Sequence, residues 1–151
     1  MLYGHLATSA LLHRYTHASA TPVMIAGIFP DIIDKTLCYV LHLTSSGRMF
    51  GHTLLVLSVS TLIVWLVWGK KVGWSWGLGY FAHLVCDMGG TVPWLWPFVS
   101  YTFSPDMLPN IFGKIWLALV NPKLIEVVIS IWAITGLTPF IFRSHKMKEQ
   151  N

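Results

Sequence analysis

The chain has 151 residues, of which 54% are hydrophobic and 11% charged, with a formal net charge of +4 and a mean hydropathy of +0.61. A soluble domain is about 25% charged, and a single domain of this length cannot hide so much apolar surface from water, so part of it must face lipid. Disorder and collagen-like structure are excluded by this composition, and nucleic-acid binding by the lack of a basic and aromatic stripe among ten scattered Lys and Arg.

The opening Met1-Leu2-Tyr3-Gly4-His5 lacks the positive region of a secretory signal, so residues 1–151 are expected as one mature membrane-embedded domain. Residues 2–15 and 18–29 are apolar but short, and meet around His17. Pro30 suits the first position of a new helix, with Asp31 and Asp34 in its opening turns. Residues 53–69 carry no charge and are apolar on every side, as a membrane span is. At the helical rise they reach about 25 Å, enough for a thin bilayer or for a span that begins earlier. Residues 72–87 are a further apolar run, opening with the Gly73-x-x-x-Gly77 spacing that lets membrane helices approach closely. Residues 93–122 are rich in Pro and Trp, including Pro93-Trp94-Leu95-Trp96-Pro97-Phe98, which suits a segment at the bilayer surface. Residues 124–142 form a second full span, interrupted by Glu126, Gly136 and Pro139 and stopped by Arg143, Lys146 and Lys148. Cys38 and Cys86 sit in no redox or finger spacing and read as reduced core thiols.

Arg14, Lys70, Lys71, Arg143, Lys146 and Lys148 share one face if the chain folds as successive hairpins, and the positive-inside tendency makes that face cytoplasmic. Lys35, Arg48, Lys114 and Lys123 fall on the other side. The expected fold is therefore all-α, a polytopic membrane protein of four to six helices packed as hairpins.

In so apolar a chain, ionisable residues beside the spans are the informative ones. His83-Leu84-Val85-Cys86-Asp87 places an imidazole and a carboxylate at i and i+4, with Cβ atoms about 6 Å apart on one helix face. That spacing suits one metal ion, or equally a His–Asp hydrogen bond that holds two helices together. A hairpin over residues 52–88 with its tip at Lys70 and Lys71 sets Asp87 level with Leu54, within a turn of His52. The same construction on the N-terminal pair, with its tip near Ala18, brings His5 level with Asp31, and Asp34 lies one turn on along the same face. His5, Asp31, Asp34, His52, His83 and Asp87 thus gather at the open ends. Imidazoles and carboxylates are ligands that zinc and similar ions accept, and six of them suit two ions with a bridging carboxylate. Singly, Asp31 could serve a helix N-terminus, His52 could start a helix at the interface, and Arg48 could be an interfacial anchor or could hold an anionic substrate group. His13 and His17 share the i, i+4 spacing but fall at the basic tip. His42 and His145 read as interfacial and tail residues, and Glu126 lies near the level of the cluster, where it could support a ligand.

Five stretches carry a family resemblance: Gly4-His5-Leu6-Ala7, Phe29-Pro30-Asp31-Ile32-Ile33-Asp34, Gly47-Arg48-Met49-Phe50-Gly51-His52-Thr53, Gly79-Tyr80-Phe81-Ala82-His83-Leu84-Val85-Cys86-Asp87 and Trp94-Leu95-Trp96-Pro97-Phe98. In order and spacing over residues 1–98 the chain resembles the YdjM-like inner-membrane metal-dependent hydrolases. Their motifs are an N-terminal His, Pro-Asp-x-Asp, His-Arg-Gly-x-Thr-His-Ser, Gly-Tyr-x-Ser-His-x-x-x-Asp and Trp-Pro. The third motif departs here, with Gly47 in place of its first His and Met49 and Gly51 in place of its Gly and Thr. His13-Arg14-Tyr15-Thr16-His17 looks like the missing motif, but it precedes Pro-Asp-x-Asp and is one residue short.

The resemblance implies a multi-pass hydrolase of a bacterial or archaeal cytoplasmic membrane. Its His-x-x-x-Asp element is also similar to that of the all-helical zinc phospholipases C and nucleases, which favours phosphoesters. A further family label, LexA-binding, implies a cytoplasmic repressor as partner, for which the short basic ends offer little surface. The expectation is that His5, Asp31, Asp34, His52, His83 and Asp87 hold one or two divalent ions, zinc before manganese, toward the outer face. A metal-activated water would cleave a phosphoester, with Arg48 and Asp34 as catalytic groups and Arg48 on the anion. A site at bilayer level implies a lipid or lipid-linked substrate. Gly47 leaves an inactive variant open, and the oligomeric state is not set by the sequence. The alternative is a non-enzymatic structural, regulatory or transport protein whose His and Asp are polar glue between helices.

Overall fold

Local chemistry decides where each helix starts and stops. The computed structural model describes residues 2–88, 92–103, 112–113, 116, 123–124 and 126–135. Helix α1 spans Leu2–Thr16, α2 Ala20–Ala26 and α3 Phe29–Lys35, which runs into a π-helical turn, Thr36–Val40; α4 spans Leu54–Trp68 and α5 Lys70–Cys86. Residues 126–135 are also helical, and no strand occurs among the described residues. The chain is all-α.

Pro30 stands in the first turn of α3 with Asp31 beside it, where a missing N–H is no loss and a carboxylate meets the positive helix end. Thr53 caps α4, its hydroxyl accepting from the Val56 N–H at 3.1 Å. Gly69, at φ 88°, both closes α4 and opens α5. This one-residue turn needs a left-handed backbone that glycine adopts without steric cost, and it puts Lys70 and Lys71 at the tip as the charge pattern requires.

The same two signals limit α4 to 15 residues, about 22 Å at the helical rise, and α5 has 17. Among the described residues no helix is long and apolar enough to cross a membrane. The full-length span expected over 53–69 is corrected in this respect, because Thr53 and Gly69 cut it short. Of the span expected over 124–142, residues 125 and 136–142 lie outside the described residues.

Helix α5 is the centre of the packing, touching α4, α2, α1 and α3. It does so through small residues. A Cβ at Gly73 would lie 2.6 Å from Trp65 Cβ, and one at Gly77 would lie 3.0 Å from Thr61, so the Gly-x-x-x-Gly spacing lets α5 lie close on α4. Gly79 does the same toward α2, where a Cβ would overlap the Val23 carbonyl oxygen. Ser75, fully buried, accepts from the Ser19 N–H and donates to the Lys71 carbonyl, both at 2.8 Å.

The apolar core is small. Ala26, Tyr80, Leu84 and Val92 form one cluster, backed by Phe29, Trp76 and Trp94, and Ala7, Leu11 and Ala133 form another. His52, His83, Asp34 and Thr53 are buried as completely, whereas Leu62, Ile63, Leu66, Val67 and Trp68 of α4 face outward, Leu66 at 75% exposure. Polar groups inside and large apolar groups outside invert the soluble pattern and suit a surface that meets lipid.

Alanine in a helix interior normally gains about 0.5–1 kcal/mol over glycine. Gly79→Ala is expected to reverse that sign, lowering stability by about 1–3 kcal/mol through forced separation of α2 and α5. Thermal unfolding in detergent checks this, with Gly113→Ala, which meets nothing within 4 Å, expected to leave the melting temperature unchanged or slightly raised.

Candidate metal centre

Four chain segments deliver the site. His83 sits in the last turn of α5 and Asp87 caps that helix. Asp31 and Asp34 come from α3, and Gly27 closes α2. His52 lies in the loop just ahead of α4.

The His83 Nδ1 lies 2.7 Å from the Gly27 carbonyl oxygen. A carbonyl only accepts, so Nδ1 carries the proton and Nε2 is left with a lone pair. The His52 Nδ1 lies 2.7 Å from Asp34 Oδ2. That carboxylate is pinned by the Met49 N–H at 2.6 Å and the Gly51 N–H at 2.7 Å, so Nδ1 of His52 is also the donor. The two Nε2 atoms then face each other at 3.2 Å. Two neutral imidazoles cannot satisfy that contact; it calls for a cation between them, a proton or a metal ion.

The surroundings supply the rest of a ligand set. Asp87 Oδ2 is 3.4 Å and Asp31 Oδ1 3.9 Å from His52 Nε2. One ligand atom from each of Asp31, His52, His83 and Asp87 lies within 4.8 Å of all the others. Around a tetrahedral ion with bonds near 2.0–2.1 Å, ligand atoms stand about 3.3 Å apart, so the four need only a small inward movement. Each is also held from behind: Lys35 Nζ is 2.6 Å from Asp31 Oδ2, Arg48 Nε is 2.7 Å from Asp87 Oδ2, Asp34 holds His52, and Gly27 holds His83. Such partners fix the direction and tautomer of metal ligands. Tyr80, fully buried, donates to the Gly51 carbonyl at 2.6 Å and so steadies the loop that carries His52.

Charge balance follows from these contacts. Burial pushes His52 down, but its hydrogen bonds to Asp34 and Asp87 and the charges of Asp34 and Asp31 outweigh that, and its pKa is raised. Burial pushes Asp31 up, yet the ammonium of Lys35 and the nearby imidazoles leave it below the ordinary carboxylate value. Without a metal, a proton on His52 is the cation that the facing imidazoles require.

Of the six ligands expected from sequence, Asp31, His52, His83 and Asp87 converge. Asp34 stands one step behind, both of its oxygens already engaged by His52 and the loop amides. His5 is buried beside the group, its Nε2 3.3 Å from Asp87 Oδ1 and its ring stacked on His83 at 3.9 Å. Arg48 reaches the site through Asp87, and Glu126 is buried against Gly4, next to His5. His13 bonds the Ala18 carbonyl at 2.6 Å, and His17 and His42 are exposed in left-handed turns, all three outside the group; His145 lies outside the described residues. Sequence reasoning gave no site role to Lys35, Tyr80 or the Gly27 carbonyl. Lys35 carried a signal in its i, i+4 spacing from Asp31, and Tyr80 in its place beside Gly79 in the fourth motif, whereas the Gly27 carbonyl carried none.

A family model described as YdjM inner membrane protein matches residues 1–146. The chain belongs to this family. The match extends the resemblance from the five motifs to nearly the whole chain and places the protein in the inner membrane, in keeping with its outward-facing apolar side chains. No curated protein and no solved structure matches it.

Two predictions follow from the imidazole pair. Asp34→Ala strands the His52, Met49 and Gly51 donors, so stability should fall by about 2–3 kcal/mol and zinc affinity by roughly 10–100-fold, read by thermal unfolding and zinc titration. The raised pKa of His52 means its charge contributes stability that is fully present below its ordinary value of 6.5 and lost as pH rises through the higher folded value. Chelator-treated protein should therefore melt progressively lower as pH rises above neutral, and zinc, by taking the place of the proton on His52, should reduce that slope to the part carried by His5. Against the pull of burial, hydrogen bonds to Asp87 and Cys86 raise the His5 pKa to about 9.

Proposed function

We propose that the protein is a multi-pass inner-membrane hydrolase that uses one divalent ion, zinc before manganese, to cleave a phosphoester of a lipid or lipid-linked substrate, with its site toward the outer face. The observation that carries this reading is the facing pair of His52 and His83 Nε2 atoms, flanked by the carboxylates of Asp31 and Asp87. Convergence of four ligands suits a single ion.

When bound, a divalent ion supplies Lewis acidity, activating a water and offsetting charge on the phosphoryl oxygens. The chain's own residues do the rest. Asp34 and Gly27 keep protons on the two Nδ1 atoms, so both Nε2 atoms point inward. Among the four ligands His52, His83 and Asp87 are closed from solvent, and only Asp31, its side chain 13% exposed, opens outward. Substrate and water therefore enter past Asp31. Arg48 spends Nε on Asp87 and keeps its terminal N–H groups for an oxyanion.

Charge supports an anionic substrate. Asp31, Asp34 and Asp87 against Lys35 and Arg48 leave a negative charge that the imidazoles of His5 and His52 can balance, and a divalent ion added to this set makes the centre net positive. The direct His52–His83 contact favours a second reading, in which a shared proton makes the cluster polar glue between helices in a non-enzymatic protein.

Metal content by mass spectrometry on detergent-purified protein separates the two. About one equivalent of a transition metal in the wild type is expected, lost in both His83→Ala and Asp87→Ala while the protein stays monodisperse, together with metal-dependent release of product from phospholipid in nanodiscs. No metal in well-folded wild type after reloading with zinc or manganese would leave only the glue.

A further inference from the structure

The groups around the mouth of the centre bear on what enters it. Asp31 is the one ligand with an outlet, and two cations stand beside the centre half-exposed: Lys35, its side chain 39% exposed, against Asp31, and Arg48, 41% exposed, against Asp87. They approach the ion position from two carboxylates whose ligand atoms lie within 4.8 Å of each other. Each spends one donor inward. An ammonium has three donors and a guanidinium five, so both retain donors for a group arriving from outside.

Each cation offsets the burial of one carboxylate with a single donor while part of its head group stays toward the outside, an arrangement that suits recognition of an arriving anion. The chain segment that leads on from Lys35 exposes several apolar side chains. The stretch that carries Asp31 and Lys35 also presents Ile32, Val40, Leu41 and Leu43, each more than half exposed. Two cations with donors to spare match a doubly charged head group.

We infer that Lys35 and Arg48 form a two-cation mouth that selects a terminal phosphate, a phosphomonoester dianion, over a phosphodiester carrying one charge. The inference rests on the metal-site reading above and narrows its substrate class. The terminal phosphate places one oxygen toward the ion position and leaves others for Lys35 and Arg48, whereas a diester has fewer charged oxygens to share. Lys35 is then a substrate-binding residue in addition to holding Asp31.

The test is equilibrium binding to zinc-loaded protein in detergent, with zinc stoichiometry measured on every sample. With each protein saturated with zinc and its zinc content matched, inorganic phosphate is expected to bind wild type and to bind Lys35→Gln at least tenfold more weakly, with Lys35→Arg restoring most of the affinity. Dimethyl phosphate is expected to bind wild type at least tenfold more weakly than inorganic phosphate and to be little affected by Lys35→Gln. Mixed micelles of phosphatidic acid distinguish the source of the phosphate: tighter binding than inorganic phosphate assigns a lipid, and equal or weaker binding assigns a soluble monoester, the mouth standing in both cases. Equal affinity of wild type and Lys35→Gln for phosphate, or equal affinity of wild type for monoester and diester probes, overturns the mouth. Failure of the wild type to take up zinc overturns the metal site itself, a result separable from the other two.

Discussion

Two imidazole nitrogens 3.2 Å apart, each with its companion nitrogen already donating, set the terms for the rest of the molecule. Holding them there requires the end of α2, the start of α3, the loop before α4 and the last turns of α5 to meet. The close approach of α5 to α2 is part of this requirement. Gly79 lies against the Val23 carbonyl, and one turn further along α5 His83 bonds the carbonyl of Gly27, which closes α2. A side chain at position 79 would separate the two backbones, lengthen the His83–Gly27 bond and release the tautomer that aims Nε2 inward. A packing detail of one residue is thus coupled to the direction of a lone pair.

Charge inside a lipid-facing chain adds a second constraint. Isolated buried carboxylates would cost several kcal/mol each, and each here has a specific partner: Lys35 on Asp31, Arg48 and His5 on Asp87, and two backbone amides plus His52 on Asp34. The arrangement falls short of full compensation, since three carboxylates face two permanent cations. The remaining negative charge falls to the imidazoles, His5 and His52 both being raised by their carboxylate partners against the effect of burial, or to a divalent ion. The polar centre is therefore stable in an apolar protein only as a connected set, and removal of any one member leaves others without partners.

Much of this was legible because it follows from spacing. His83 and Asp87 at i and i+4, the Lys70–Lys71 tip, and Pro30 at a helix start place the right side chains at one level, and the structure puts His52 beside Asp87 as that register requires. The division of labour within the set was not legible. Asp31 and Asp34 have the same chemistry and share a helix face, and which of them joins the facing imidazoles is decided by the loop ahead of α4, whose Met49 and Gly51 amides occupy Asp34. Backbone donors of an irregular loop leave no trace in side-chain patterns. Nor does a carbonyl such as that of Gly27. The span expected over 53–69 overran α4 for the opposite reason: hydropathy runs through Thr53 and Gly69, while helix geometry stops at a cap and at a left-handed turn.

The departure at Gly47 can be read in the same physical terms. The family motif has His at that position, yet the four converging ligands are Asp31, His52, His83 and Asp87, and the centre closes without a side chain from residue 47. The more consequential change is at Gly51, where the motif has Thr. A Cβ there would lie 2.7 Å from the Pro30 carbonyl oxygen and 3.3 Å from the Asp34 carboxyl carbon. Glycine lets the loop press directly on α3, bringing its own N–H onto Asp34 and its carbonyl onto the Tyr80 hydroxyl. The loop of this chain thus has no imidazole at position 47 and holds the carboxylate that orients His52 through its own backbone at the other end. The geometry of His52 therefore depends here on backbone contacts at Gly51 and Met49 more than on any side chain at position 47.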